Sequence, residues 1–280
     1  MATSLVVHGH FYQPPRENPW TGQVERERSA QPYHDWNQRV HSECYRPNAF
    51  ARVLDNYGRV ERMVNNYFHI NFNFGPTLLN WMVDYDVATY RRILEADRLS
   101  RERYGGHGNA IAQAYNHCIL PLCTPEDRLT QVLWGLADFQ IRFDRPAEAL
   151  WLPETACTDA VLGNLIDAGM RYVILAPSQA ERVRPLEGGE WSDVSDGSVD
   201  TSQPYACLHR DGSGRSIAVF FYHGGLARGI AFDGALYSSQ TLMDRIVQAR
   251  GGAGALINVA TDGESYGHHS HFGDRTLAYA

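Results

Sequence analysis

A chain of 280 residues with 44% hydrophobic and 20% charged side chains can bury a substantial core, as one large domain or two small ones. Its 25 Lys and Arg against 32 Asp and Glu leave a net charge of -7, which argues against a nucleic-acid partner, whose backbone requires a basic stripe. No apolar run approaches the length of a membrane span, so no membrane partner is expected and the cytoplasm is the expected compartment.

The chain opens on a short apolar run at 4–8 that predicts a buried strand. Residues 13–47, Pro-rich and aromatic, read as a long loop insertion. Asn48 to Tyr57 carries apolar residues at helical spacing, and a second strand is predicted at 68–73. Helices follow over Pro76 to Tyr85 and Asp86 to Tyr104, then a third strand at 110–115. Thr124-Pro125-Glu126-Asp127 combines a Thr cap, a Pro in the first turn and acidic residues, and starts a helix reaching about Phe143. A fourth strand at 148–153 leads to a helix over Thr158 to Ala168, stopped by Gly169. The fifth strand is predicted at 171–176. Residues 184–204, rich in Gly, Ser and Asp, read as a surface loop insertion. A sixth strand at 216–221, a helix from Ser239 to Arg250 and a seventh strand at 255–260 complete the series.

Strands alternating with helices imply parallel βαβ units in an α/β fold. Seven of them in one chain of this length suggest a closed barrel, with residues 1–280 as a single domain. In such folds chemistry sits at the C-terminal ends of the strands. Two of those ends carry carboxylates: Glu154 after Trp151-Leu152-Pro153, and Asp262 after the run that ends at Ala260 and Thr261. If the strands close in sequence order, strand four faces strand seven across one mouth. Glycoside hydrolysis uses such a pair, one carboxyl as acid and the other as nucleophile or base. Each has a plainer reading, Glu154 as a helix-dipole partner and Asp262-Gly263 as a turn, but the pairing favours a functional role.

Alternation along strand one sends His8 and His10 to one face, beside strand seven and Asp262. Two chemistries are open to them. With Asp262 they could bind Zn or Mn in a metal-dependent hydrolase of the deacetylase or amidohydrolase kind. Alternatively they hydrogen-bond sugar hydroxyls. His268, His269 and His271 could add ligands or cap the next helix. His117 and His223 follow strands three and six and are open between loop and substrate-contacting roles. Aromatics beside strand ends, namely Phe11, Tyr12, Trp151, Tyr222 and Tyr266, suit sugar faces but also ordinary cores. The five cysteines are scattered and include no Cys-x-x-Cys, and Cys157 reads as a buried thiol rather than a nucleophile. No P-loop, Gly-x-Ser-x-Gly elbow or dinucleotide fingerprint occurs.

His8-Gly9-His10-Phe11-Tyr12-Gln13-Pro14, Trp151-Leu152-Pro153-Glu154 and Asp262-Gly263-Glu264-Ser265-Tyr266-Gly267 resemble motifs of glycoside hydrolase family 57, the α-glucan-active family. The resemblance implies an incomplete (β/α)7 TIM-like barrel and a retaining glycoside hydrolase or 4-α-glucanotransferase. Glu154 would be the nucleophile and Asp262 the acid/base, about 5–5.5 Å apart. His8, His10, Trp151, His117, His223, Glu264 and Tyr266 would bind an oligo- or polysaccharide, with no cofactor and no metal. It sets no oligomeric state. Two departures accompany it. Gly108 to Gln113 lacks the acidic residue usual in the second motif, and the chain ends before the helical domain that carries the fifth, so a fragment is expected. A degenerate glucan-binding domain is the non-enzymatic alternative.

Overall fold

A computed structural model describes residues 3–252 and 255–280. In chain order the elements are β1 (Ser4–Phe11), α1 (Trp36–Val40), α2 (Arg46–Ala49), β2 (Ala51–Leu54), β3 (Val60–Val64), β4 (Asn71–Phe74), α3 (Pro76–Tyr85), α4 (Val87–Arg103), β5 (Ala112–Gln113), α5 (Pro125–Phe143), β6 (Leu150–Trp151) and α6 (Asp159–Asp167). They continue with β7 (Tyr172–Leu175), β8 (Arg182–Val183), β9 (Ser192–Asp193), β10 (Tyr205–Leu208), β11 (Ser216–Phe221), α7 (Gly224–Ala231), α8 (Ser239–Gln248), β12 (Leu256–Asp262) and α9 (Gly273–Tyr279). The fold is mixed α/β. Among the described residues no helix is long and apolar enough to cross a membrane.

The chain divides into two compact units, each assembled from several stretches. The first holds the residues up to His8, Ile111–Arg228 and Ile246–Ala260; the second holds Gly9–Ala110, Gly229–Arg245 and Thr261–Ala280. Two strands therefore run through both: β1 passes from first to second at His8/Gly9, and β12 at Ala260/Thr261.

In the first unit β5 pairs with β6 in parallel, Ala149 bridges in parallel to Tyr172, and β7 pairs in parallel with β11. Ile111, Ala149, Trp151 and Ile174, on or beside these strands, join Ala260 of β12 in a buried cluster against Tyr172 and Tyr222. Helix α5 starts as its sequence dictates, with the Thr124 hydroxyl accepting from the Asp127 amide at 3.2 Å. It lies hard against β5: a Cβ on Gly135 would stand 1.9 Å from the Gln113 carbonyl oxygen, so glycine is required there.

In the second unit Phe72 bridges in parallel to Ala110. Phe11 stacks on Phe74 with ring centroids 4.7 Å apart and meets Tyr67 edge-on at 5.3 Å, which places the C-terminal end of β1 in this unit's aromatic core. Asp86 caps α4 by accepting from the Ala88 and Thr89 amides.

Three expectations are corrected. The helix expected over Asn48 to Tyr57 ends at Ala49, and β2 follows, paired antiparallel with β3. Ala51 and Val53 alternate inward with period two, and Asp55 closes the turn by accepting from the Tyr57 and Arg59 amides at 2.9 Å each. Residues 13–47 are not wholly loop, because Asp35 caps α1 through the Gln38 amide and a π-helical turn, His41–Tyr45, continues it. Pairing is also not all parallel: β10 runs antiparallel to β11, and β8 to β9 within the largely exposed stretch around 184–204.

Candidate active site

Glu154 belongs to the first unit. From Ala149 to Thr155 every residue is buried except Glu154, which is exposed. A tight turn produces this. The Thr155 amide donates to the Leu152 carbonyl at 2.8 Å and the Ala156 amide to Pro153 at 3.0 Å. The Gln179 side chain donates to the Thr155 carbonyl at 2.5 Å. Within the turn Glu154 has φ +55° and Thr155 φ +53°, the left-handed region that costs an L residue about 1–2 kcal/mol. Backbone strain that presents a carboxylate outward is the kind retained at functional sites.

His8, fully buried, lies flat on Trp151 with ring centroids 4.6 Å apart and planes 18° apart. His117 also takes a left-handed backbone, φ +56°. Burial holds its imidazole below the usual histidine range, against the opposing pull of the Glu154 charge, so it is neutral at pH 7. His223 caps α7: its Nδ1 accepts from the Leu226 amide at 3.1 Å, which assigns the proton to Nε2.

Asp262 belongs to the second unit and repeats the pattern. Residues 257–267 are buried except Asp262, which is exposed. Gly263 rests on the Phe11 ring, where a Cβ would stand 2.2 Å from two ring carbons. The π-helical turn clamps the segment from Gly263 to Gly267. Cys44 Sγ donates to the Gly263 carbonyl at 3.3 Å, and a Cβ on Gly267 would stand 2.4 Å from the Glu43 carbonyl oxygen. Glu264 Oε1 accepts from the Tyr45 hydroxyl at 2.5 Å and from the Tyr12 amide at 3.3 Å. Burial pushes the Glu264 carboxyl up to about 8, with Asp262 adding to the rise and the Tyr45 and Tyr12 donors opposing it. π-Helical turns are rare and concentrate at functional sites.

His10 is buried, and the Asn73 amide group holds its Nδ1 edge, with Nδ2 at 2.9 Å. Its ring runs parallel to that of Tyr12 at 6.2 Å. His268 Nδ1 pairs with Glu43 at 2.5 Å. Burial and His268 lower the pKa of His269, against the raising effect of Asp262.

The residues offered by the sequence fall in both units. His8, Trp151, His117 and His223 accompany Glu154 in the first unit, and His10 accompanies Asp262 in the second. Glu264 and Tyr266, expected as sugar contacts, are buried at 7% and 0% exposure, as His10 and His8 are at 6% and 0%. The Tyr266 hydroxyl accepts from Thr261 at 3.2 Å and burial pushes it up to about 12. Sequence reasoning missed Gln179, Tyr45 and Asn73. Asn73 sits in a strand that reads Asn-Phe-Asn-Phe, so its polarity did not set it apart from Asn71. Among the described residues no group of three His, Cys, Asp or Glu side chains is placed to hold a metal ion.

Similar solved structures include a 4-α-glucanotransferase of Thermococcus litoralis, at 17% identity and TM-score 0.62, matching 95% of this chain and 34% of that one. The exo-type maltose-forming amylase of Pyrococcus sp. ST04 gives 14% and 0.68, over 99% and 44%. The branching enzyme of Pyrococcus horikoshii gives 15% and 0.62, over 98% and 66%. At these identities the likeness shows the fold, and the chain spans between one third and two thirds of their lengths. No curated protein matches it in sequence. The family model for glycosyl hydrolase family 57 matches residues 5–278, and the chain belongs to that family.

Proposed function

We propose that the chain carries the catalytic module of a retaining glycoside hydrolase or 4-α-glucanotransferase acting on α-linked glucan, built as an incomplete (β/α)7 barrel. Family membership supports the substrate class. The parallel pairings of β5 with β6 and of β7 with β11 support the barrel.

One local observation carries the residue assignment. Glu154 and Asp262 are each the exposed residue of an otherwise buried strand-end segment. Folding sets both carboxylates outward while everything beside them packs inward. Glu154 is the nucleophile. Its carboxylate attacks the anomeric carbon as the glycosidic C–O bond breaks, and Asp262 gives its proton to the departing oxygen. Water or a sugar hydroxyl then attacks the glycosyl-enzyme, returns its proton to Asp262 and frees Glu154. Water gives hydrolysis and a sugar hydroxyl gives transfer. The His8–Trp151 stack, together with His10, His117 and His223, lines the sugar.

The test is to incubate the full chain with a panel of maltooligosaccharides and α-glucans and to follow products and anomeric configuration by NMR. Retained configuration is expected, with Glu154→Gln losing turnover while keeping its circular dichroism spectrum. Inverted product, or unchanged turnover in that variant, overturns the reading.

A further inference from the structure

Two thiols in the loop after β5 touch each other. Cys118 Sγ and Cys123 Sγ are 3.3 Å apart, and both residues are half-buried. The backbone between them makes the approach. Leu120–Leu122 forms a single 3-10 turn on the buried Leu120, with the Leu122 amide donating to Ile119 at 2.9 Å and the Cys123 amide to Leu120 at 3.2 Å. Both ends of the loop are fixed by their neighbours. Cys118 follows His117 with its left-handed backbone, and Cys123 precedes Thr124, the cap of α5.

We propose that Cys118 and Cys123 are a reversible dithiol–disulfide site that, when oxidised, ties the His117 loop to the start of α5. A disulfide needs its sulfurs at about 2.05 Å, so closure asks for little more than an ångström of approach between groups already in contact. The remaining cysteines are placed differently. Cys44 is fully buried and donates to the Gly263 carbonyl, and Cys157 and Cys207, near enough for Cys207 to help raise the Cys157 thiol, each turn their sulfur to the following residue's carbonyl.

The oxidant is a low-molecular-weight disulfide such as glutathione disulfide. One protein thiolate attacks it, forming a mixed disulfide and releasing one glutathione thiolate. The second protein thiolate then displaces the other. The protein pair loses two protons and two electrons, and the oxidant becomes two thiols. Burial, and then the neighbouring Cys123, push the Cys118 thiol up to about 12, so the reaction speeds up as pH rises from 7 to 9.

Both cysteines lie between Arg103 and Arg128 with no Lys or Arg between, so a single tryptic peptide carries them. The experiment oxidises the full chain with glutathione disulfide, alkylates it, and maps that peptide by mass spectrometry. The expected peptide is lighter by two hydrogens and takes no alkylating group, and dithiothreitol restores two alkylation sites. In Cys123→Ser the same treatment leaves glutathione on Cys118. Two free alkylation sites after oxidation, glutathione retained on both cysteines, or a bond formed solely between Cys157 and Cys207 overturns the proposal. The mass readout decides it whether or not the chain turns over glucan.

Discussion

The Tyr45 hydroxyl donates a hydrogen bond of 2.5 Å to Glu264, and both side chains are buried. Two carboxyl groups only two residues apart are thereby given opposite environments. Asp262 stands exposed at the strand end, while Glu264 turns inward against the π-helical turn and holds its proton up to about pH 8. Environments that split neighbouring carboxyl groups in this way assign them different work. Glu264 is an anchor for the turn that presents Asp262.

That anchor predicts a pH dependence of stability. The folded-state value of Glu264, about 8, lies above the ordinary glutamate value near 4.3. The folded state therefore binds more protons than the unfolded state between these limits, and stability falls as pH rises through them. The contribution is fully present below about pH 4 and lost by about pH 8, on the order of 5 kcal/mol at 1.36 kcal/mol per pH unit. Urea unfolding of wild type and Glu264→Gln at pH 5 and pH 8 checks this. The stability difference between the two proteins is expected to shift towards the variant at pH 8. A pH-independent difference would show that Glu264 is ionised throughout.

The His8–Trp151 stack predicts a packing effect. Trp151 is buried in the cluster of Ile111, Ala149, Ile174 and Ala260, so Trp151→Ala leaves a cavity. A loss of about 3–5 kcal/mol is expected, with Trp151→Phe losing less than half of that. Denaturant midpoints at fixed pH measure both. A loss under about 1 kcal/mol for the Ala variant would mean that the site collapses around the gap.

Much of this was legible in the sequence, for physical reasons. Strong local signals survived: the Thr124-Pro125 start of α5, the apolar runs of β1, β7, β11 and β12, and carboxylates at strand ends. What failed depended on partners distant in sequence. Ala51 and Val53 fit a helix or a strand by spacing, and their pairing with β3 decided the matter. Glu264 and Tyr266 follow Asp262 so closely that sequence alone offered them beside it, with no sign that they, unlike Asp262, would be buried. Burial against Tyr45 and Thr261, set by tertiary packing, turned them inward. Gln179 could not be found, since its contact with Thr155 exists only after the turn has formed.

Glu154 predicts a separation between strain and charge. Its φ of +55° penalises any side chain with a Cβ, whatever its chemistry. Glu154→Gly is therefore expected to be more stable than Glu154→Ala by about 1 kcal/mol, even though glycine costs more entropy in the unfolded chain. Both variants should be inactive on α-glucan. Equal thermal midpoints for the two would mean that the turn relaxes when the side chain is cut back.

Gly263 gives the sharpest steric prediction, because it sits between the exposed Asp262 and the buried Glu264 and lies directly on Phe11. A Cβ there would stand 2.2 Å from Phe11 Cδ1 and Cε1, and the ring cannot retreat freely because it stacks on Phe74 and meets Tyr67. Gly263→Ala should then cost about 1–3 kcal/mol through overpacking. It should also lower activity by moving Asp262. Replacing Phe11 with Leu removes ring atoms on which the new methyl group would press. The double variant is expected to lose clearly less than the sum of the two single losses, a coupling that residues in direct contact show and distant ones do not. Strict additivity in a double-mutant cycle would break the claimed contact. Recovery of kcat together with stability in the double variant would show that Phe11 sets the height at which Asp262 is presented.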